Sequence, residues 1–494
     1  MSVLAEVLNS TQPGYEAAVA LSLQRMRNAF GEISFAECQL ADFPDRATAL
    51  LVATPLAPEV RLDLIADLSS LAWWCDFDLS DVAIGKLAAA ARLTFYQQAI
   101  GLPPFRVTPD PLAMTSHAVF VGQLLHELHS PTRGAFDYVC ALASDPTNRH
   151  VEVFHTGPLK PELRAYANQR LGDGASKTTF TEFDPSNLTT AIEGGARTYH
   201  FWCEATYSAH ISLLALFGPS LMFTCGDAAP VQFADVYWYC QEPAYIENLW
   251  ARKGAPESFS RNYHALQSAP FNKPEPLSRR TRADLGFGED ETIIVSVGNR
   301  LGVDMTESFV DGMGAILIAD RNLRWVIVGA LQDFWIDAFR QVLGDQFTHI
   351  PFDKDLPSLL AVCDIFANPF RAGGGNTAIL AIDAGAAVMT RGDVGDVGAF
   401  VAPKHLAMSA DEYFAQLTVL TKTPAMRGVW LKEQQALLAT RLDQSLFATE
   451  LKALVGLAFD RFRQRTPTAL ELIFDQPMRK PQALKASGRR VRLR

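Results

Sequence analysis

The sequence predicts an α/β protein with two doubly wound, Rossmann-like domains facing a cleft, preceded by an all-α region. Three observations carry this. From His117 onward, short apolar runs alternate with helix-length amphipathic stretches. The segment SAPFNKPEPLSRR (268–280), with three prolines and no periodicity, splits that alternation into two series. Residues 1 to about 110 show helical spacing uninterrupted by strand-like alternation.

In the N-terminal region, Leu23, Met26 and Phe30 share a helical face, as do Leu64, Leu68 and Leu71, and again Leu87, Ala91 and Phe95. LPPFRVTPDP (102–111) reads as a linker. The first series of expected strands is HAVFVG (117–122), VEVFHT (151–156), TYHFWC (198–203), PSLMFT (219–224) and ADVYWY (234–239). The second is TIIVSVG (292–298), RWVIVGA (324–330), FTHIPF (347–352), DIFANPF (364–370) and AAVMT (386–390), with a helical stretch from about 410 to 464. Runs apolar on both faces suit a parallel sheet covered by helices. The expected division is 1–112 all-helical, 113–275 and 276–475 Rossmann-like, and 476–494 a basic tail.

A chain of 494 residues is too long for one core. Its formal charge of -10 argues against a nucleic-acid partner. After Asp475 there is no further acid and seven Lys or Arg, which read as a solvated, disordered terminus or as a tether to an acidic membrane or partner. The seven cysteines are scattered without a Cys-x-x-Cys pair, as expected of free thiols in a reducing compartment and giving no support to a metal site. The start of the chain has no signal-peptide pattern, and the most apolar stretch, Ile211–Phe223, is broken by Gly218 and Pro219. The expectation is a cytoplasmic protein.

The richest segment is NPFRAGGGNTAILAIDAGAAVMTRGD (368–393). A strand ends, a glycine run lets the backbone approach a ligand, and Asn376 or Thr377 is placed to cap the helix that follows. Free amides at a helix N-terminus make a site for a diphosphate. There is no Gly-Lys-Ser/Thr as in a Walker loop, and no G-x-G-x-x-G after a first strand. A second constellation, SVGNRLGVD (296–304), follows the first strand of the second series, where Asn299 and the cation Arg300 would face the diphosphate. No DxD metal motif is present.

GGGNTAILAIDAGAAVMTRGD, DEYFAQLTVLTKTPAMRGVWLKEQQ (411–435) and HELHSPTRGAFDYV (126–139) together resemble the GT-B glycosyltransferases. Within them they resemble the O-linked N-acetylglucosamine transferase family and its bacterial relatives, including adhesin-modifying N-glucosyltransferases. The resemblance spans roughly residues 115–465. It implies a diphosphate cradle at Gly375, Asn376 and Thr377 with Gly374 beside it on the donor, a loop acid at Asp393, and a base pocket with Phe352 on the base and Lys354 on the ribose or phosphate. Asp383 is either a donor-ribose acid or a helix-surface carboxylate. His129 falls on the loop whose histidine lies near the reaction centre, and Arg133 beside it on the acceptor side. The family supplies a lysine where this chain has Gly302, so Arg300 must substitute or the site is impaired. The implied function is metal-independent, inverting transfer of a sugar from a UDP-linked donor to a protein, peptide or surface glycan. The alternatives are a non-catalytic subunit or scaffold, and a nucleotide-sugar epimerase or hydrolase.

Overall fold

In a computed structural model the described residues are 3–11, 16–35, 38–75, 83, 86–87, 90, 94, 114–126, 129–183, 197–202, 214–215, 217–224, 230, 233–253, 255, 257–299, 301–371, 373–392 and 395–465. The chain divides into two compact units. Among the described residues, the first comprises those up to Tyr239, Pro243–Ala265 and 448–465; the second comprises Cys240–Glu242 and Leu266–Phe447.

The first unit opens with helices Val3–Asn9, Glu16–Phe30, Phe43–Ala53 and Pro58–Trp74. Leu23 and Met26 of the second helix and Leu64, Leu68 and Leu71 of the fourth enter one buried cluster, as their spacing requires. Asp67 ties these two helices, accepting hydrogen bonds from Ser22 Oγ at 2.8 Å and Arg25 Nε at 2.7 Å. Ala91, Phe95 and the linker 102–111 lie outside the described residues.

A seven-stranded sheet follows: β1 Ser116–Gln123, β2 His150–Thr156, β3 Thr178–Glu182, β4 Thr198–Trp202, β5 Ser220–Phe223, β6 Val236–Tyr239 and β7 Tyr263–Ala265. The order is β3-β2-β1-β4-β5-β6-β7 and every pairing is parallel. The five expected strands are the interior ones. β3 and β7 escape the apolar-run criterion because they are edges: TTFTE alternates with threonine, and β7 is three residues long. Inside, Trp202 stacks on Phe223 at 4.0 Å, and Tyr138 of helix Ser130–Ser144 stacks on Trp238 at 5.4 Å.

The second unit holds a five-stranded parallel sheet of β8 Thr292–Val297, β9 Leu323–Val328, β10 Phe347–Ile350, β11 Ile365–Ala367 and β12 Ala387–Met389, ordered β10-β9-β8-β11-β12. Trp325, Phe309, Phe339, Phe347 and Tyr413 fill the space between this sheet and its helices. Residues 268–280 carry neither helix nor strand, as the prolines require. Ser409 caps helix Ala410–Lys422 by accepting from Glu412 N, and the Glu412 carboxylate accepts the Met408 amide at 2.8 Å. Among the described residues no helix is long and apolar enough to cross a membrane.

Behind the first sheet, His117 Nδ1 lies 2.9 Å from His200 Nε2, and His200 Nδ1 lies 2.6 Å from the Tyr138 hydroxyl. Burial holds His117 down to about 4 and His200 well below its ordinary value, so both rings are neutral at pH 7. The unfolded chain takes up the His117 proton as pH falls below 6.5, while the folded chain resists until about 4. Stability is therefore complete above pH 6.5 and is lost across that window, by about 3 kcal/mol for His117 alone. Guanidinium unfolding at pH 7.5 and 4.5 should show this loss in the parent and a smaller one in His117→Gln. Equal losses in the two proteins would contradict the buried neutral pair.

Candidate functional site

In the second sheet, connections leave β8 and β11 in opposite directions, making a topological switch point where ligands bind in open parallel sheets. Two loops meet there. One runs from Gly298 through Asn299 into the short helix Leu301–Asp304; the other runs from Asn368 to Gly374 and feeds helix Gly375–Ala384. Asn368 is fully buried and holds the second loop in shape. Its Nδ2 donates to the Gly373 carbonyl at 3.3 Å, its Oδ1 accepts Arg371 Nε at 3.1 Å, and its carbonyl accepts the Tyr413 hydroxyl at 3.1 Å.

The capping expected of Asn376 or Thr377 is corrected. Gly374 is the N-cap, left-handed at φ 116, so Asn376 and Thr377 lie inside the first turn and no side chain of the N-cap residue serves. The cap arrives from across the sheet. Asp396, in the loop beyond β12, accepts the Gly375 amide at 3.0 Å through Oδ1. A Cβ on residue 375 would stand 2.7 Å from Asp396 Oδ2, so only glycine lets the carboxylate come this close. A carboxylate thus already occupies the positive end of this helix.

The remaining donor-side candidates scatter around the switch point. Asn299 is exposed in the turn after β8. Phe352, 66% exposed, and Lys354, also exposed, follow β10, two strand positions from β8 and on the order of 10 Å across the sheet. Asp383, 39% exposed at its side chain, pairs with Lys273 at 2.5 Å, roughly 12 Å along the helix from Gly375. Arg300 and Asp393 lie outside the described residues. Sequence reading missed Arg371, Asn368 and Asp396. Arg371 and Asn368 stand inside the glycine segment, but besides each other and Gly373 they bond to Val297, Met389 and Tyr413, which are distant in sequence.

In the first unit, His129 is the N-cap of helix Ser130–Ser144, which starts with Pro131 in its first turn. Its Nδ1 lies 2.8 Å from Thr132 Oγ1, and that oxygen accepts the Leu125 amide at 3.2 Å. When Nδ1–H donates to Thr132, the lone pair sits on Nε2, the tautomer a base requires. Burial, with a smaller push from His126, lowers the His129 imidazole to about 4, so it is neutral at pH 7 and a weak base. Arg133 is half-buried one turn later, its amide donating to the His129 carbonyl at 3.0 Å, and burial lowers its guanidinium from the ordinary value. His210 lies outside the described residues.

A cavity of 290 Å³ opens at the amino ends of β1 and β2, lined by Leu142, Leu451 and Val455 among others. It sits at the strand ends opposite those where this architecture binds ligands. Among the described residues no group of three or more His, Cys, Asp or Glu is arranged to hold a metal ion.

No protein-family model matches the chain. No curated protein matches it either. Its fold does have solved counterparts. A mutant of the Thermobaculum terrenum O-GlcNAc transferase is similar over 93% of this chain and 98% of its own, with a TM-score of 0.57 and 13% identity. Anabaena HepE in complex with UDP and glucose is similar over 69% of this chain and 99% of its own, with a TM-score of 0.49 and 9% identity. At such identities the first likeness establishes shared architecture: two parallel sheets flanked by helices with a helical N-terminal region, the GT-B arrangement.

The Asp396 cap has a measurable consequence. Asp396→Ala should lower stability by about 1 kcal/mol in urea, while Asp396→Asn, whose amide oxygen still accepts the Gly375 amide, should lose less. Equal losses in the two variants would contradict the capping role.

Proposed function

We propose that the protein is a glycosyltransferase that moves a sugar from a nucleotide sugar, UDP-linked, to a protein, peptide or surface-glycan acceptor without a metal. The observation that carries this is the carboxylate of Asp396 seated on the Gly375 amide at the head of helix Gly375–Ala384. An anion is already held where the switch point, the glycine run and the helix dipole converge. A diphosphate displacing it would meet the amides of Gly375, Asn376 and Thr377. The GT-B architecture, covering 93% of this chain in the first counterpart, supports a donor at this end of the second sheet.

In this reading Arg300 and the helix terminus receive the charge that develops on the departing diphosphate. Asn299 and Gly374 shape the phosphate cradle, Phe352 covers the base, and Lys354 meets the ribose or phosphate. Asp393 contributes from the loop beyond β12, and Asp383 reaches the ribose on release from Lys273. His129 takes the acceptor proton through Nε2, with Arg133 beside it on the acceptor side, and inversion follows from a single in-line displacement. Because its imidazole titrates near 4, His129 is unprotonated throughout the neutral range, and its contribution should not fade until pH approaches 4.

A second reading has its own support. His129 is a weak base, and Gly302 stands where the resembling family has lysine. These favour a non-catalytic subunit that keeps the fold.

Calorimetric titration with UDP separates the readings. The parent should bind UDP, Arg300→Ala should bind it on the order of tenfold more weakly, and Asp396→Asn on the order of fivefold more tightly, because one competing negative charge is gone. His129→Ala should keep the UDP affinity while turnover of a UDP-sugar falls by about 100-fold. No UDP binding by the parent would sink the donor reading; binding without turnover in any donor–acceptor pair would leave the subunit reading.

A further inference from the structure

We propose that the cavity at the amino ends of β1 and β2 is a binding site for a small neutral ring molecule carrying one hydroxyl, with His117 as its polar anchor; this does not rest on the donor reading. The cavity lies within the first unit, walled by the sheet and by helices Ser130–Ser144 and Gln444–Gln464. Ala448, Leu451, Lys452 and Val455 line it at i, i+3, i+4 and i+7, one face of the last helix. Helix Ser130–Ser144 contributes Leu142 and the half-buried Ala141. The two alanines leave room that larger side chains would fill. An apolar cavity of about 150 Å³ takes one benzene ring, so 290 Å³ takes a substituted ring.

His117 distinguishes this space from a packing defect. The residue is 1% exposed, and its Nδ1 is engaged with His200 Nε2. Among the described residues Nε2 has no hydrogen-bond partner. Burial keeps the ring neutral, and the Asn148 side chain beside it offsets this only in part, its Nδ2 being committed to the Leu142 carbonyl at 2.8 Å. A buried nitrogen left unpaired is costly, and a ligand that pairs it recovers that cost.

The ligand's chemistry follows from two further observations. When the Tyr138 hydroxyl donates to His200 Nδ1, the order of protons along the chain puts a hydrogen on His117 Nε2; the reverse order leaves a lone pair there. A hydroxyl answers both states, whereas a carbonyl or an ammonium answers only one. The charged groups on the wall are already matched. Lys452 Nζ lies 3.6 Å from Asp145 Oδ2, and the Asp145 carboxylate accepts the Thr147 amide and hydroxyl at 2.8 and 2.6 Å. A ligand with a net charge therefore gains nothing here. Lys452 is 62% exposed at its side chain, so this pair stands where the cavity meets solvent and yields at little cost.

The test is a thermal-shift titration with phenol and with toluene, which keeps the ring and lacks the hydroxyl. The parent should bind phenol at least as tightly as toluene, although phenol gives up more hydration on entering. His117→Leu should weaken phenol on the order of tenfold and leave toluene unchanged or tighter. Ala448→Trp, at an exposed position of the last helix, fills the cavity and should abolish binding of both. Should His117→Leu fail to fold, the parent's preference and Ala448→Trp decide. Toluene bound more tightly than phenol by the parent, phenol affinity unchanged in either variant, or a parent that binds neither would overturn the inference.

Discussion

One fully buried amide, Asn368, sits where the second sheet reverses its winding, and the geometry of the candidate site depends on it. A parallel sheet needs its strands to diverge into loops at one end, and those loops lose the ladder that satisfied their backbone groups. Asn368 restores that satisfaction on one loop. Its backbone amide continues the ladder to the Met389 carbonyl at 3.0 Å, its carbonyl takes the Tyr413 hydroxyl, and its side chain links Gly373 to Arg371. Replacing such a residue by an apolar one would leave several buried groups unpaired, each costing about 1–3 kcal/mol. Through Arg371, the same amide reaches the Val297 carbonyl and thereby the end of β8.

The helix Gly375–Ala384 is hydrophobic along most of its length, with Ala378, Ile379, Leu380, Ala381 and Ile382 all buried. Its direction is fixed by that burial, and so the orientation of its dipole is fixed too. What remains adjustable is what sits at its head. In this structure it is Asp396, a carboxylate brought from another loop, and the absence of a side chain on residue 375 is what admits it. A site that holds its own carboxylate is stable without ligand, and it presents to any incoming anion a competitor that must move. In the proposed reading, binding and release of a donor would be coupled to the position of one acidic loop.

Much of the fold was legible because buried parallel strands announce themselves as unbroken apolar runs. TIIVSV, WVIV and HAVFV are covered on both faces and read directly. β3 was not legible, because an edge strand is wetted and its threonines alternate with Phe180 in a pattern too short to distinguish from a loop. The start of a helix after the glycine run was legible, yet the cap was assigned to the wrong residues. Asn376 and Thr377 are good capping types, but the left-handed backbone at Gly374 starts the helix before them. Arg371 and Asp396 were invisible for a different reason. Their partners Val297 and Gly375 are 74 and 21 positions away, and no local pattern records a contact that only the sheet creates.

We propose that the head of helix Gly375–Ala384 is a diphosphate site from which Asp396 is displaced. An experimental structure of the protein with UDP tests it most directly. A diphosphate oxygen is expected within hydrogen-bond distance of the Gly375 or Asn376 amide, with the Asp396 carboxylate withdrawn from it. UDP bound elsewhere, with Asp396 still seated on Gly375, would contradict it.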